Sequence, residues 1–435
     1  MRAFGWLKKL RKNERGNALV IGAATLPLMI GAAAIGVDTI QVSLAKRQLQ
    51  RAADSAALAG AYAIVQSQDV PTSVNHDLAL NNDLPLSATA IEPPPTVGPY
   101  ANNNRAVRVV LTAQRAVPFI SFFTQSAMTV SAEATAAIVF FGQYCMVSLE
   151  NGNTTGVTFT GSTVADLGCG VATNSRSANG VVAAGNARVI ASPIAAVGGV
   201  PSSSAYQTGT TLLPYSPVQA DPLAHLPRTP TPPADCVPLD LNPQGNDPVY
   251  FPPLGASRSY CIVGSTTGNN DAKIQSDIAL PSATYYIQGG VLDFGPATVT
   301  EQTPASSTAP TGVTFILTTP PGQTTGVATL NMNANAVLRL AAPDTGTYAG
   351  VLMYQDSRST GGTNQINGNS GSTLRGAFYF PSSDVVFNGN ASMTVTCLQV
   401  VALHLHFSGN STIRNSCPAN SGSQAFDAAF VRLVG

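Results

Sequence analysis

The sequence predicts a mainly β chain with an α-helical N-terminus. One transmembrane helix runs into a small α+β head, and a right-handed parallel β-helix follows. Three observations carry this expectation. Ala18 to Val37 contains no charged side chain and follows a basic stretch. Asn-Gly corners recur late in the chain at a spacing of about 20 residues, the mark of stacked repeats. The cysteines fall in step with that spacing.

The basic stretch comes first. Arg2, Lys8, Lys9, Arg11, Lys12 and Arg15 make residues 1–17 a basic arm. Positive charge on one flank keeps that flank in the cytoplasm. About 20 apolar residues in a helix cover the hydrocarbon core of a bilayer, so 18–37 reads as a membrane span. A removable signal peptide has a shorter apolar core and a small-x-small cleavage site, and neither is present. Pro27 is tolerated inside such a helix. Leu44, Leu49, Ala52, Ala53, Ala56 and Leu58 then fall near helical spacing, which carries the helix to about Val65. Arg105 to Leu111 and Val130 to Phe140 read as strands, separated by Val117-Pro-Phe-Ile-Ser-Phe-Phe. Together they make 38–142 a small head beyond the cytoplasm.

Within this region lie Arg15-Gly16-Asn17-Ala18-Leu19-Val20, then Gly36-Val37-Asp38, then Leu49-Gln-Arg-Ala-Ala-Asp-Ser-Ala-Ala-Leu-Ala-Gly-Ala61. This arrangement resembles the N-terminal region of TadG-like and TadE-like proteins of bacterial tight-adherence (Flp) pilus assembly. The resemblance covers about the first 65 residues. It implies a pilin-type head and a single pass through the bacterial inner membrane, with the body periplasmic or extracellular. The implied partners are that membrane and other pilin-like or Tad assembly proteins. Gly16 is the processing site it suggests. The sequence departs from prepilins at Ile21, where they carry Glu at the fifth mature position. It also lacks the Asp-x-Ser-x-Ser metal motif of larger family members; Asp356-Ser-Arg-Ser-Thr has a different spacing.

Residues 143–435 are expected to form the solenoid. Charged residues make up 10% of the whole chain and formal net charge is zero, against a usual charged share of about 25%. No basic surface points to nucleic acid. Disorder is usually charged and poor in β-branched residues, whereas this part is rich in Val, Ile and Thr. Gln365-Ile-Asn-Gly-Asn369 recurs as Phe387-Asn-Gly-Asn390 and Phe407-Ser-Gly-Asn410. Looser echoes are Phe159-Thr-Gly-Ser162, Ala184-Gly-Asn186 and Asn331-Met-Asn-Ala-Asn335. Asn and Gly turn corners because they tolerate positive φ. An antiparallel β-sandwich is the alternative, since Asn-Gly also marks hairpins. Pro-rich residues 201–258, centred on Arg228-Thr-Pro-Thr-Pro-Pro233, read as an extended excursion, because Pro cannot donate to a central ladder. Thr300 to Thr311 reads as a second loop.

Six cysteines are present, an even count that suits disulfides in an exported chain. Cys397 lies seven residues after Asn390, and Cys417 seven after Asn410. Adjacent coils about 4.8 Å apart would bring them within bonding range. Cys145–Cys169 and Cys236–Cys261 are the further candidate pairs. No Cys-x-x-Cys occurs, which argues against a zinc or redox site.

Chemistry is sparse. His404 and His406 alternate on one strand and face one side. A metal site needs three or four ligands, and no carboxylate lies near them in sequence, so a solvent-facing pair is expected and no metal. Asp356 with Arg358, or Asp384 with Arg375, could imitate part of a polysaccharide-cleaving β-helix site; Asp344 is the remaining carboxylate of this group. Such chemistry needs paired carboxylates at a defined separation. No phosphate-binding Gly-rich loop or nucleophile elbow occurs. The expected protein is therefore non-enzymatic, with no catalytic residue and no cofactor. It is expected to be a structural, anchoring or adhesive envelope component of a Flp/Tad pilus system, with Asn, Ser and Thr faces suited to surface glycans. The alternative is a membrane-tethered β-helix polysaccharide lyase or hydrolase, and a third reading makes the body a spacer.

Overall fold

The computed structural model describes residues 17–66, 68–241, 249–263, 272–302, 311–367, 369, 371–388, 392–396, 398–410, 412–416 and 426–435. Gly16, Cys397 and Cys417 lie outside them, as does most of the basic arm. Two compact units divide the chain: Met1–Val139 with Val431–Gly435, and Phe140–Phe430.

The first unit is built on helix α1, Asn17–Val65, of 49 residues with Pro27 inside it. Its two ends have different chemistry. Ile21, Leu26, Leu28, Met29, Ile30 and Ile35 are exposed, whereas Leu49, Ala52, Ala53, Ala56 and Ala61 are buried. The helix is long and apolar enough to cross a membrane. The Ala-rich half packs closely on a three-stranded antiparallel sheet of β1 (Leu86–Glu92), β2 (Ala106–Arg115) and β3 (Met128–Ser148). A Cβ on Gly60 would lie 2.9 Å from Val107 Cγ1, so only glycine allows this approach. Helix α2 (Val70–Asn81) starts where the Asp69 side chain accepts from the Thr72 N–H at 2.8 Å, with Pro71 in its first turn. Helix α3 (Pro118–Thr124) occupies the segment between β2 and β3. The chain end returns here: the Val434 N–H donates to the Thr135 carbonyl at 2.8 Å.

In the second unit the strands are short and pair in parallel ladders. One ladder runs through Val237–Pro238, Ser259–Val263, Thr284–Gln288, Thr314–Thr318, Val351–Gln355, Gly376–Phe380, Leu398–Ala402, Met146–Ser148, Gly170–Thr173, Ile194–Ala196 and Leu212–Leu213. A second runs through Ala272–Ile274, Val291–Phe294, Thr329–Met332, Thr363–Ile366, Asp384–Phe387, His404–Phe407, Val157–Phe159 and Val181–Ala183. A third comes in two runs, Ile278–Leu280 to Thr373–Arg375 and Ser392–Thr396 to Arg188–Ile190. All of these pairings are parallel, so the antiparallel sandwich does not describe this unit. The chain is mainly β, with a parallel sheet of many strands consistent with a solenoid.

The ladder order departs from chain order. The last coil, Leu398–Phe407, pairs onto the first, with Val400 opposite Met146 and Leu405 opposite Val157. A return segment must therefore link Leu213 at one end of the ladder to Val237 at the other. The Pro-rich excursion does this as a strap. Along its length Gln219 exchanges hydrogen bonds with Asn174, and Asp221 accepts from Tyr379 Oη at 2.7 Å. Further on, Pro227 O accepts from Tyr354 Oη, and Pro230 O from Thr318 Oγ1 at 3.1 Å. Leu223 and Leu226 are buried against Tyr354, Tyr379, Ile316 and Val401. The outer face of the first ladder is thus covered. The strap's end strands have two residues each, and Pro238 sits in one, which blunts both ladder ends against further pairing. The expected loop at 300–311 is strand at its start, Thr298–Glu301; residues 303–310 lie outside the described set.

Corners explain the repeat. Gly161, Gly185 and Gly409 all have positive φ, between 70° and 73°. They stack so closely that a Cβ on Gly161 would meet the Gly409 carbonyl oxygen at 2.7 Å. A side chain is excluded there twice, by conformation and by space.

Candidate functional site

The most chemically loaded place among the described residues is a corner of the second ladder, where Asp384 is the register partner of His404. Parallel pairing in register sets equivalent residues of neighbouring coils side by side. His404 Nδ1 lies 2.6 Å from Asp384 Oδ1. His404 Nε2 lies 2.9 Å from Glu150 Oε2, and Glu150 follows the last residues of β3 in the next coil. His406, two residues along on the same side, has Nε2 4.0 Å from Asp384 Oδ2. The group is partly sheltered, with side-chain exposures of 19% for His404, 12% for Glu150 and 36% for Asp384.

Electrostatics separates the two histidines. The Asp384 hydrogen bond and carboxylate charge, with Glu150 beyond, raise the His404 pKa above its ordinary 6.5. Burial lowers that of His406, with Asp384 opposing. The hydrogen bond from His404 lowers that of Asp384. The two carboxylates thus favour the protonated form of His404, while burial favours the neutral form of His406. Asp384, His404 and His406 offer ligand atoms that all lie within 4.8 Å of one another. Sequence proximity missed the carboxylates because they come from neighbouring coils. Asp384 stands 20 residues before His404, one repeat away, so applying the period to charges would have found it.

The other candidate residues fall elsewhere. Asp356 is fully buried and satisfied: it accepts from the Arg358 guanidinium at 2.5 Å and from Thr318 Oγ1 at 3.0 Å. That pair orders a turn, with the Arg358 N–H donating to Asp356 Oδ1 at 2.9 Å. Arg375 pairs with Asp344 at 3.0 Å, and Asp384 turns to His404, so the expected Asp384–Arg375 pairing is replaced. Inward-facing Leu405 and Phe407 are fully buried, but Leu403 sits at a corner, where its carbonyl accepts from Ser148 Oγ at 2.8 Å. The corner interrupts the strand's alternation there.

Cys145 and Cys169 are bonded, with Cα atoms 5.8 Å apart, and tie adjacent coils. Cys236 and Cys261 are bonded, with Cα atoms 5.7 Å apart, and fasten the strap to the coil of Ser259–Val263. Thr396 and Ser416, which immediately precede Cys397 and Cys417, are register partners. In the first unit Asp38 is fully buried in the head-proximal part of α1. It accepts from the Ile120 N–H at 2.6 Å and the Phe119 N–H at 3.4 Å, satisfying the start of α3.

Residues 16–63 match the Tad family model, the TadE/G-like proteins of Flp pilus assembly. The match spans the apolar helix and its Ala-rich continuation. No curated protein and no solved structure matches the chain.

Proposed function

We propose that this chain is a single-pass envelope protein of a Flp/Tad pilus-assembly system, with a structural, anchoring or adhesive role. One observation carries the reading: the Tad-matching segment 16–63 is also the one described helix apolar and long enough to span a bilayer. Helices of this kind associate laterally in the membrane through small residues, and Gly22, Ala23, Ala24, Gly31, Ala32 and Ala33 supply them here. The body then lies beyond the inner membrane. Its three parallel ladders support a right-handed β-solenoid, a stiff polar rod suited to docking other Tad components or surface glycans. The role is non-enzymatic.

Deleting the gene, or replacing residues 17–65 with an unrelated membrane helix, should abolish or sharply reduce Flp pili in electron micrographs. A photo-crosslinker at Ile30 or Leu44 should trap other pilin-like proteins. Wild-type piliation in both strains would refute the reading. Depolymerisation of polysaccharide by the purified chain would instead establish the tethered lyase or hydrolase.

A further inference from the structure

We propose that Asp384, His404 and His406 form a binding site for a divalent transition-metal ion of the zinc type, with Glu150 orienting His404. The inference is independent of the pilus reading. Zinc takes imidazole nitrogen and carboxylate oxygen at about 2.0–2.2 Å in a tetrahedron. Three donors around one such ion must approach one another to within a few ångströms, and here they lie within 4.8 Å before any ion draws them in. Two imidazoles and one carboxylate suit zinc, nickel or copper; calcium and magnesium prefer all-oxygen sites.

The surroundings fit as well. A metal-bound histidine donates its remaining ring N–H to a carboxylate or carbonyl, which fixes its tautomer and orientation. Glu150 stands ready for this, 2.9 Å from His404 Nε2, and leaves Nδ1 on the side of Asp384. Backbone register fixes the spacing: His404 is opposite Asp384, and His406 is two residues along on the same face. Asp384 and His406 are each 36% exposed, so an ion can enter, and a fourth position stays open to water or a partner's donor group. The ion would bind two neighbouring coils, and Glu150 would couple it to a third, across the point where the last coil meets the first.

The test uses tag-free full-length protein in detergent, stripped with chelator and titrated with ZnCl2 against a chromophoric competitor. One equivalent should bind. His406→Ala and Asp384→Asn should weaken binding at least about tenfold, and Glu150→Gln by about 10- to 100-fold. His76→Ala and His225→Ala should leave it unchanged. Circular dichroism should show the variants folded. X-ray absorption of the zinc-loaded wild type, which needs no variant, should show two imidazole ligands. Absence of stoichiometric binding, equal loss in the His76 or His225 variants, or a coordination shell without two imidazoles would overturn the proposal.

Discussion

The body builds one cross-section from two kinds of side chain. Coils drawn from residues 259–407 are filled with rings. Tyr260, Tyr285 and Phe315 follow one another at 5.4 and 5.3 Å, and Phe378, Phe380 and Phe387 are fully or almost fully buried. Coils drawn from residues 145–196 are filled mainly by Val157, Val171, Val181, Val189 and Ile194, and by alanines. The sets meet at a three-ring stack. Phe387 lies 4.8 Å from Phe407, and Phe407 lies 4.7 Å from Phe159, with interplanar angles of 4° and 12°. Larger rings bury more apolar area per coil. The aliphatic set has a covalent tie between its coils, whereas the disulfide at the aromatic end holds the strap. Among the described residues, the coils with less to bury carry the disulfide between coils, and those with more to bury are held by packing.

The sharpest way to break this contrast is Phe407→Ala. It removes the middle ring of the stack and should cost about 3–5 kcal/mol, against about 2 kcal/mol for Val181→Ala. Denaturant unfolding would measure both, and equal costs would end the distinction. Next is Cys145→Ser with Cys169→Ser, expected to cost about 2–4 kcal/mol and to increase amide exchange first in residues 157–196. Smaller is Tyr379→Phe, which removes the hydrogen bond to Asp221. It should cost about 1.5 kcal/mol and speed tryptic cleavage after exposed Arg228 about tenfold through local opening of the strap.

The smallest effect concerns protons. In chelator-treated protein with labelled histidines, His404 should titrate above 6.5 and His406 below it. Asp384→Asn should bring His404 down. The sign of the stability linkage follows. The contribution of His404 is complete below its unfolded value near 6.5 and fades as pH rises through its raised folded value. That of Asp384 is present above its unfolded value near 3.8 and is lost as pH falls through its lowered folded value. Their shared contribution is therefore greatest between those two limits. Half-buried His406 opposes His404, costing stability as pH falls below 6.5.

The sequence showed the period but not the order of the coils. Ile366, Phe387, Phe407 and Phe159, each just before a corner, proved to be consecutive register partners in the second ladder. Periodic corners are local chemistry and so are written locally. That Phe407 is followed in space by Phe159 has no local signature; only the likeness of Phe159-Thr-Gly to Phe407-Ser-Gly hinted at it. Glu150 beside His404 was hidden for the same reason. Helix α2 was overlooked although Asp69 followed by Pro71 is a start signal. In the first unit, Ala spacing and the uncharged run were enough to place α1 to its last residue, Val65.

Out-of-order stacking sets a timetable for biogenesis. A polypeptide leaving the ribosome presents residues 146–196 early, yet their template arrives only with residues 398–407. Until then one flank of the early strands is bare, able to zip onto a second molecule. Truncations before about residue 398 should therefore yield sticky, aggregating products rather than shortened rods.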